Sequence, residues 1–275
     1  MNSKVIINYS RLTPALYLLP AILLMAIAVF LYMHDALSAE KYVLVQKDAF
    51  YSINHHLGQY PNTLINLTQL GDASILLSFL SIFIIYAPKI WESLISASLV
   101  SLVFSSSLKN IFSVARPAVM FDNSSFIIVG RTAVGHASLP SGHSITVFTT
   151  LAVLLFAFMP GKLKYKILWV VFAVLAGLMI AFSRVGVGAH YPLDVIIGSI
   201  IGYISGVTGI FISRKYKIWS WVNNKKYYFI FLVLMLVCAV SIVIKIFNEN
   251  LFIYYLALIS LIVPFYKMTY AVVKK

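Results

Sequence analysis

The sequence contains few charged residues and almost no cysteine. Of its 275 residues only 11% are charged while 61% are hydrophobic, and the mean hydropathy is +0.93. Because a soluble domain contains about 25% charged residues, this composition excludes a soluble enzyme and a disordered chain. The single cysteine, Cys238, lies inside an apolar run, which excludes an intrachain disulfide and a cysteine-based metal site. The class that remains is an integral membrane protein built of helices.

Acidic residues are also scarce. The chain has 8 Asp and Glu against 21 Lys and Arg, which gives a formal net charge of +13. On a soluble protein such an excess would indicate nucleic-acid binding. Here the basic residues cluster between apolar runs, a distribution that is typical of topogenic signals and of contacts with anionic lipids. We therefore expect no nucleic-acid partner.

Hydropathy along the chain predicts eight apolar segments. Most of them approach the ~20 residues that a helix needs to cross a bilayer, and none shows the polar–apolar alternation of a barrel strand. The segments are 12–33, 64–87, 90–108, 144–160, 167–187, 192–213, 227–246 and 251–271. The expected fold is therefore an all-α integral membrane protein.

The orientation follows from the distribution of basic residues. The first segment is expected to stay as an uncleaved anchor, because its apolar run is longer than that of a signal peptide. If the N-terminus is cytoplasmic, that side carries 14 Lys and Arg residues, Lys275 included, and the other side carries 7. The positive-inside rule then predicts a multi-pass protein of the cytoplasmic membrane with the loops 34–63 and 109–143 outside. Within the first of these loops we expect a short interfacial helix around 49–56 without a catalytic duty.

Three groups of polar and ionisable residues lie at the predicted outer helix ends, where ionisable side chains are costly and tend to be functional. Because all three belong to the same membrane face, topology alone brings two histidines, three cations and one carboxylate together. The groups are Lys109-x6-Arg116-Pro117, Pro140-Ser141-Gly142-His143 and Ser183-Arg184-x5-His190-x3-Asp194.

The first group indicates an anion site. A continuous helix would place Lys109 and Arg116 on one stripe, two turns apart, and Pro117 would end that helix. Two cations that converge from one helix suit a multiply charged oxyanion such as phosphate. The alternative is a pair of interfacial side chains that snorkel towards water.

The second group precedes a predicted helix. Ser141 is expected to cap that helix, and Gly142 leaves the backbone open to close approach, so the free N–H groups would form an anion site. A plain helix cap would explain both residues equally well. It would not explain His143.

The third group predicts an oriented histidine. A helix that starts near Pro192 would let the Asp194 carboxylate reach the His190 imidazole, which would fix the tautomer and raise the nucleophilicity of the other ring nitrogen. Arg184 lies about 240° away from His190 on an unbroken helix, so the two glycines between them are expected to break it. The alternative is a His–Asp pair that only closes an interhelical hydrogen bond.

Taken together, the three groups resemble the signature of the type 2 phosphatidic acid phosphatase superfamily, which includes bacterial lipid phosphatases and is related to the vanadium haloperoxidases. Every position of that signature is filled, in order, between residues 109 and 194. The resemblance implies a six-helix phosphatase core in residues 1–213, followed in 214–275 by a basic loop and two additional transmembrane helices. Leu70-Gly71-Asp72 also resembles a recurrent element of the family, and a structural role is expected for Asp72.

The resemblance implies a phosphohydrolase that uses no metal or other cofactor and forms a phosphohistidine. His190 would be the nucleophile, Asp194 would orient and polarise it, and His143 would protonate the leaving oxygen. The residues that would bind the phosphoryl oxygens are Lys109, Arg116, Arg184, Ser141 and Gly142.

The residues by themselves suggest the same chemistry, because phosphoryl transfer requires charge neutralisation and in-line positioning. The leading hypothesis is a phosphatase at the outer face of the cytoplasmic membrane. The family allows as substrates polyprenyl diphosphate, phosphatidylglycerophosphate, phosphatidic acid and the lipid A phosphates. A lipid phosphotransferase with the same intermediate is one alternative, and an anion or lipid transporter is another.

The loop 118–139, which contains Arg131 and His136, is expected to shape substrate selectivity. Arg131 would either bind a second phosphate of the substrate or be solvated.

Overall fold

The computed structural model describes residues 1–274, so Lys275, which was counted among the inner cations, lies outside the described residues. Within that range the regular structure is helical, without strands. The α-helices are α1 (Asn2–Ser10), α2 (Leu18–Met33), α3 (Ala39–Leu44), α4 (Lys47–Gly58), α5 (Pro61–Gln69), α6 (Ala73–Leu80), α7 (Ile82–Tyr86), α8 (Pro88–Phe112), α9 (Pro117–Met120), α10 (Gly142–Ala157), α11 (Leu163–Gly186), α12 (Pro192–Lys215), α13 (Tyr228–Glu249) and α14 (Phe252–Val273).

The predicted all-α membrane fold is confirmed. Among residues 1–274, six helical segments are long and apolar enough to cross a membrane. They are Pro14–Met33, Pro88–Met120, Leu163–Gly186, Pro192–Lys215, Lys225–Glu249 and Phe252–Val273. Each of them corresponds to one of the eight apolar segments expected from hydropathy.

The other two apolar segments are not simple spanning helices. Segment 64–87 was expected to form one span, but it is divided into α5, α6 and α7, and the chain bends by 66° between α5 and α6. Asp72 lies at this break and caps α6, because its side chain accepts a hydrogen bond from Ser74 N at 3.0 Å. We call α5, α6 and α7 the bent span.

Segment 144–160 corresponds to α10, whose 16 residues fall short of the ~20 needed for a full crossing.

The centre of the protein is formed by α12, which packs against α8 and α10. Glycine allows α12 and α10 to approach closely, since a methyl group at Gly202 would lie 2.5 Å from Ile145 O. Small residues serve the same purpose at many helix interfaces in membranes. At the end of this contact, Ser141 N donates to Asp194 O at 3.0 Å. The start of α10 is therefore held beside the start of α12.

The last two helices, α13 and α14, pack against each other and against α6. Ile75 of α6 forms a buried apolar cluster with Ile242, Tyr254 and Ala257 of these helices. We call α13 and α14 the C-terminal hairpin. Its main contact surface on the core is the bent span, and Phe231 of α13 also packs on Trp91 of α8 with ring centroids 5.6 Å apart.

Candidate active site

His190 lies in the turn between α11 and α12, and only 2% of its surface is exposed. Its Nε2 is 3.4 Å from Arg116 Nη1, while its Nδ1 faces Asp194 Oδ2 at 3.5 Å. The second separation is long for a hydrogen bond, but the buried Nδ1 has no closer partner within residues 1–274. A carboxylate beside Nδ1 favours the tautomer that carries its proton there, so Nε2 keeps its lone pair.

The surroundings of His190 keep its imidazole neutral. Burial is the largest influence and lowers the pKa of His190 to about 4, although the Asp194 carboxylate acts in the opposite direction. The positive charges of Arg116 and Arg184 lower this pKa further. At pH 7 the ring is therefore uncharged, which is the form that a nitrogen nucleophile requires.

Asp194 lies in the first turn of α12 and is completely buried. Its Oδ2 accepts hydrogen bonds from Tyr191 N at 3.0 Å and from Ser138 Oγ at 2.6 Å, and its Oδ1 accepts one from Tyr42 Oη at 2.8 Å. The three donors come from three separate parts of the chain. They hold the carboxylate in one orientation, facing His190.

The turn that carries His190 depends on glycine. α11 ends at Gly186, and α12 begins at Pro192, the residue from which the sequence predicts a helix start. Gly188 has a φ of 77°, a conformation that residues with a side chain rarely adopt. The turn brings the carbonyl oxygen of Arg184 to 3.2 Å from the backbone N–H of His190. Arg184 and His190 are thus neighbours although an unbroken helix would separate them.

The prediction that one continuous helix carries Lys109 and Arg116 is wrong. α8 ends at Phe112, Ser113 adopts a left-handed conformation with φ of 43°, and Arg116 is extended. Pro117 does not end a helix; it begins α9. The reason is local, since a residue that precedes proline disfavours the helical conformation and proline itself suits a first helical turn.

The two arginines reach the site from different elements. Arg116 Nη1 donates to Ala189 O at 3.2 Å, next to the ring of His190. Arg184 Nη1 donates to Thr68 Oγ1 at 2.9 Å, while its buried Nε has no partner within the described residues. A buried donor without a partner calls for a ligand or a water. The two guanidinium groups therefore offer donors and positive charge to an anion beside His190.

The start of α10 supplies the rest of the predicted site. Ser141 caps α10, since its hydroxyl accepts a hydrogen bond from the backbone N–H three residues later at 3.4 Å. A methyl group at Gly142 would lie 3.4 Å from Lys109 Nζ, so glycine leaves room for that ammonium group. His143 packs on the bent span, because a methyl group at Gly71 would lie only 2.8 Å from its Cβ and Cδ2. The structure thus brings all three sequence groups together.

A polar cavity of about 430 Å³ opens beside Arg116 and Arg184. Arg131 lines the same cavity, as does Glu249 from the end of α13, whereas His136 is absent from its described lining. Neither in this cavity nor in the rest of residues 1–274 do three or more His, Cys, Asp or Glu side chains form a group that could hold a metal ion. The cavity combines three arginines with one carboxylate and suits an anionic ligand.

Four residues that support the site were missed by sequence reasoning, namely Tyr42, Gln46, Thr68 and Ser138. Gln46 Oε1 accepts a hydrogen bond from Leu193 N at 2.9 Å and so helps to hold the start of α12. Tyr42 and Gln46 belong to the loop 34–63, where only an interfacial helix was expected. These four side chains are uncharged and stand in no motif, so their sequence positions carry no signal of a role at the site.

Comparisons with known proteins agree with the resemblance. Residues 90–219 match the family model of the PAP2 superfamily, and this segment contains all three sequence groups. Undecaprenyl-diphosphatase from Sulfolobus acidocaldarius is 29% identical over 114 residues, or 42% of this chain and 50% of that protein, so the chain spans about half the length of this curated relative. The crystal structure of Aquifex aeolicus LpxE aligns with a TM-score of 0.50 at 26% identity, covering 61% of this chain and 95% of that one. The family resemblance is confirmed.

Proposed function

We propose that this chain, whose residues 90–219 match the family model of the PAP2 superfamily, is a membrane phosphatase that hydrolyses a lipid phosphate or diphosphate through a phosphohistidine. The observation that carries the proposal is the separation of 3.4 Å between His190 Nε2 and Arg116 Nη1. A phosphoryl group entering at this point meets a nucleophilic nitrogen and a cation together. On the opposite side of the ring, Asp194 stabilises the positive charge that develops as Nε2 attacks.

The reaction has two steps. In the free protein burial lowers the pKa of His143 to about 3, and the negative charge of a bound phosphate raises this pKa, so that His143 carries the proton when substrate is bound. His190 Nε2 attacks phosphorus, the bond from phosphorus to the lipid oxygen breaks, and protonated His143 gives that oxygen its proton. Arg116, Arg184 and Lys109 neutralise the phosphoryl oxygens during this displacement, and the N–H groups at the start of α10 add further donors. Water then attacks the phosphohistidine and transfers a proton to His143. Phosphate leaves, and both histidines return to their initial states.

The substrate that we favour is a polyprenyl diphosphate. The curated relative bears the name undecaprenyl-diphosphatase, and the cavity of this chain is lined by Arg131 in addition to Arg116 and Arg184. A diphosphate carries a second charged group that a third arginine would bind. Phosphatidylglycerophosphate, phosphatidic acid and lipid A phosphate are the competing substrates.

Phosphate release tests the proposal directly. Purified protein in detergent is expected to release inorganic phosphate from polyprenyl diphosphate faster than from the three competing lipids, and to do so in EDTA, because its own cations neutralise the substrate. Vanadate should inhibit, since it mimics the five-coordinate phosphorus bound to His190 Nε2. Failure to release phosphate from any of the four lipids would contradict the proposed function. Loss of activity in EDTA that magnesium restores would contradict the mechanism without metal.

We further propose that the site faces the outside of the cytoplasmic membrane, supported by the excess of 14 over 7 basic residues on the inner side. Ser124 is exposed and belongs to the loop that would lie outside, whereas Lys162 is exposed in a loop that would lie inside. A Ser124→Cys variant is expected to react with an impermeant thiol reagent in intact cells, and the matched Lys162→Cys variant only after permeabilisation. Background labelling should be low, since the native Cys238 is buried. The opposite labelling pattern would reverse the orientation.

A further inference from the structure

We propose that the C-terminal hairpin positions the catalytic groups His143 and Arg184 by holding the break in the bent span, with Lys245 as the positioning residue. The inference rests on the proposed function and deepens it. The hairpin and the bent span both lie outside the segment 90–219 that matches the family, so this role goes beyond what the family match implies.

The first contact between the hairpin and the bent span is an ion pair at the break itself. Lys245 Nζ of α13 lies 2.6 Å from Asp72 Oδ2, and the two side chains are only 27% and 28% exposed. Asp72 also caps α6 through the hydrogen bond from Ser74 N. A pair that is partly removed from water is screened less than a surface pair. Lys245 therefore ties the start of α6 to α13.

The second contact between the hairpin and the bent span lies on the other side of the break. Asn66 Oδ1 of α5 accepts a hydrogen bond from Ile253 N at 3.1 Å. Ile253 belongs to the first turn of α14, where the N–H groups have no partner within the helix. The hairpin therefore contacts both sides of the bend, α5 through Asn66 and α6 through Asp72.

Between these two contacts the bent span lies against the proposed catalytic groups Arg184 and His143. Thr68 accepts the hydrogen bond of Arg184 at 2.9 Å. Gly71 packs so tightly on His143 that not even a methyl group would fit between them. A displacement of the break would therefore move the support of the proposed general acid and of one phosphate ligand together.

The hairpin also reaches the cavity. Glu249, at the end of α13, lines the cavity together with Arg184, and its carboxylate accepts a hydrogen bond from Tyr254 Oη of α14 at 3.1 Å. This carboxylate lies one helical turn beyond Lys245 on α13. The hairpin is consequently part of the wall around the proposed substrate and not a remote membrane anchor.

The test compares two ion pairs of the same composition. Lys245→Met removes the charge but keeps most of the side chain, and kcat with the lipid substrate is expected to fall roughly 10- to 100-fold, the loss that a displacement of about 1 Å produces. KM should change less, since most substrate contacts remain. Lys41→Met is the matched control, because the Lys41–Asp35 pair is exposed at 54% and 87% and lies outside the cavity. It should leave kcat unchanged.

Two further variants separate positioning from simple stabilisation. Asp72→Asn keeps a good helix cap and loses the ion pair, so it should reproduce Lys245→Met, and the double variant should be no worse than either single one. Lys245→Arg should restore most of the activity. Because a nitrophenolate needs little help from a general acid, nitrophenyl phosphate turnover should fall less than lipid turnover in Lys245→Met.

The outcomes are distinct. Wild-type activity in both Lys245→Met and Asp72→Asn would overturn this inference while leaving the proposed function intact. Equal losses on both substrates, additive in the double variant and parallel to a lower melting temperature, would also overturn it, because they describe a hairpin that only stabilises the fold. Absence of phosphate release by the wild-type protein would overturn the proposed function and this inference with it.

Discussion

His190→Ala is expected to be inactive with every substrate, whereas His143→Ala is expected to lose activity mainly with lipids. The proposed phosphoenzyme forms on His190 Nε2, so no substrate can bypass that residue. His143 is proposed to protonate the leaving oxygen, and its importance depends on how basic that oxygen is. A lipid alkoxide needs the proton far more than a nitrophenolate does.

The expected difference is large. General acid catalysis contributes roughly 10²–10⁴-fold, so His143→Ala should lose that factor with a lipid monophosphate and much less with nitrophenyl phosphate, provided that formation of the phosphoenzyme limits both rates. The measurement is kcat/KM for the two substrates at one pH. Similar losses with both substrates would show that His143 serves a purpose other than protonation of the leaving group.

Rapid quench separates the two histidines in a second way. With a labelled substrate, acid-labile phosphate should be trapped on the protein in His143→Ala and never in His190→Ala. We expect trapping because His143 is also proposed to activate the water that cleaves the intermediate. Phosphorylated His190→Ala protein would mean that the two roles are assigned the wrong way round.

Asp194→Asn is expected to lower kcat/KM by roughly 10³- to 10⁴-fold, similar to the loss when the carboxylate of a serine-protease triad becomes an amide. The amide preserves the shape of the side chain but removes the negative charge. In the proposed mechanism that charge, which faces Nδ1 from 3.5 Å, stabilises the ring of His190 as Nε2 bonds to phosphorus. The measurement is steady-state turnover of the lipid, with circular dichroism to confirm the helical fold.

Tyr42→Phe is the matched control for Asp194→Asn. It removes one of the three donors to the buried carboxylate but leaves its charge, so the expected loss is smaller, roughly 10- to 100-fold, in line with about 1.5–3 kcal/mol for a hydrogen bond to a charged group. A larger loss in Tyr42→Phe than in Asp194→Asn would show that the orientation of the carboxylate matters more than its charge.

The sequence by itself determined the class of the protein and the residues of the candidate site. Composition was sufficient for the membrane class, because a chain with 61% hydrophobic residues cannot cover a globule with polar surface. The start of α12 at Pro192 also followed from local preferences of the backbone. The residue types at 109–194 indicated the chemistry, and their roles stay predictions for the experiments above.

Only the tertiary structure decided how these residues are held. The bend of 66° in the bent span is flanked by the contact of Gly71 with His143 and by the ion pair from Asp72 to Lys245, partners that lie far away in the chain. The same is true of Tyr42, whose hydroxyl bonds to a carboxylate 152 residues later. Hydropathy and helix preference depend on neighbours along the sequence, whereas these contacts arise only when separate helices pack. For that reason the sequence indicated the proposed nucleophile and the proposed acid, while the residues that support both became visible only in the folded chain.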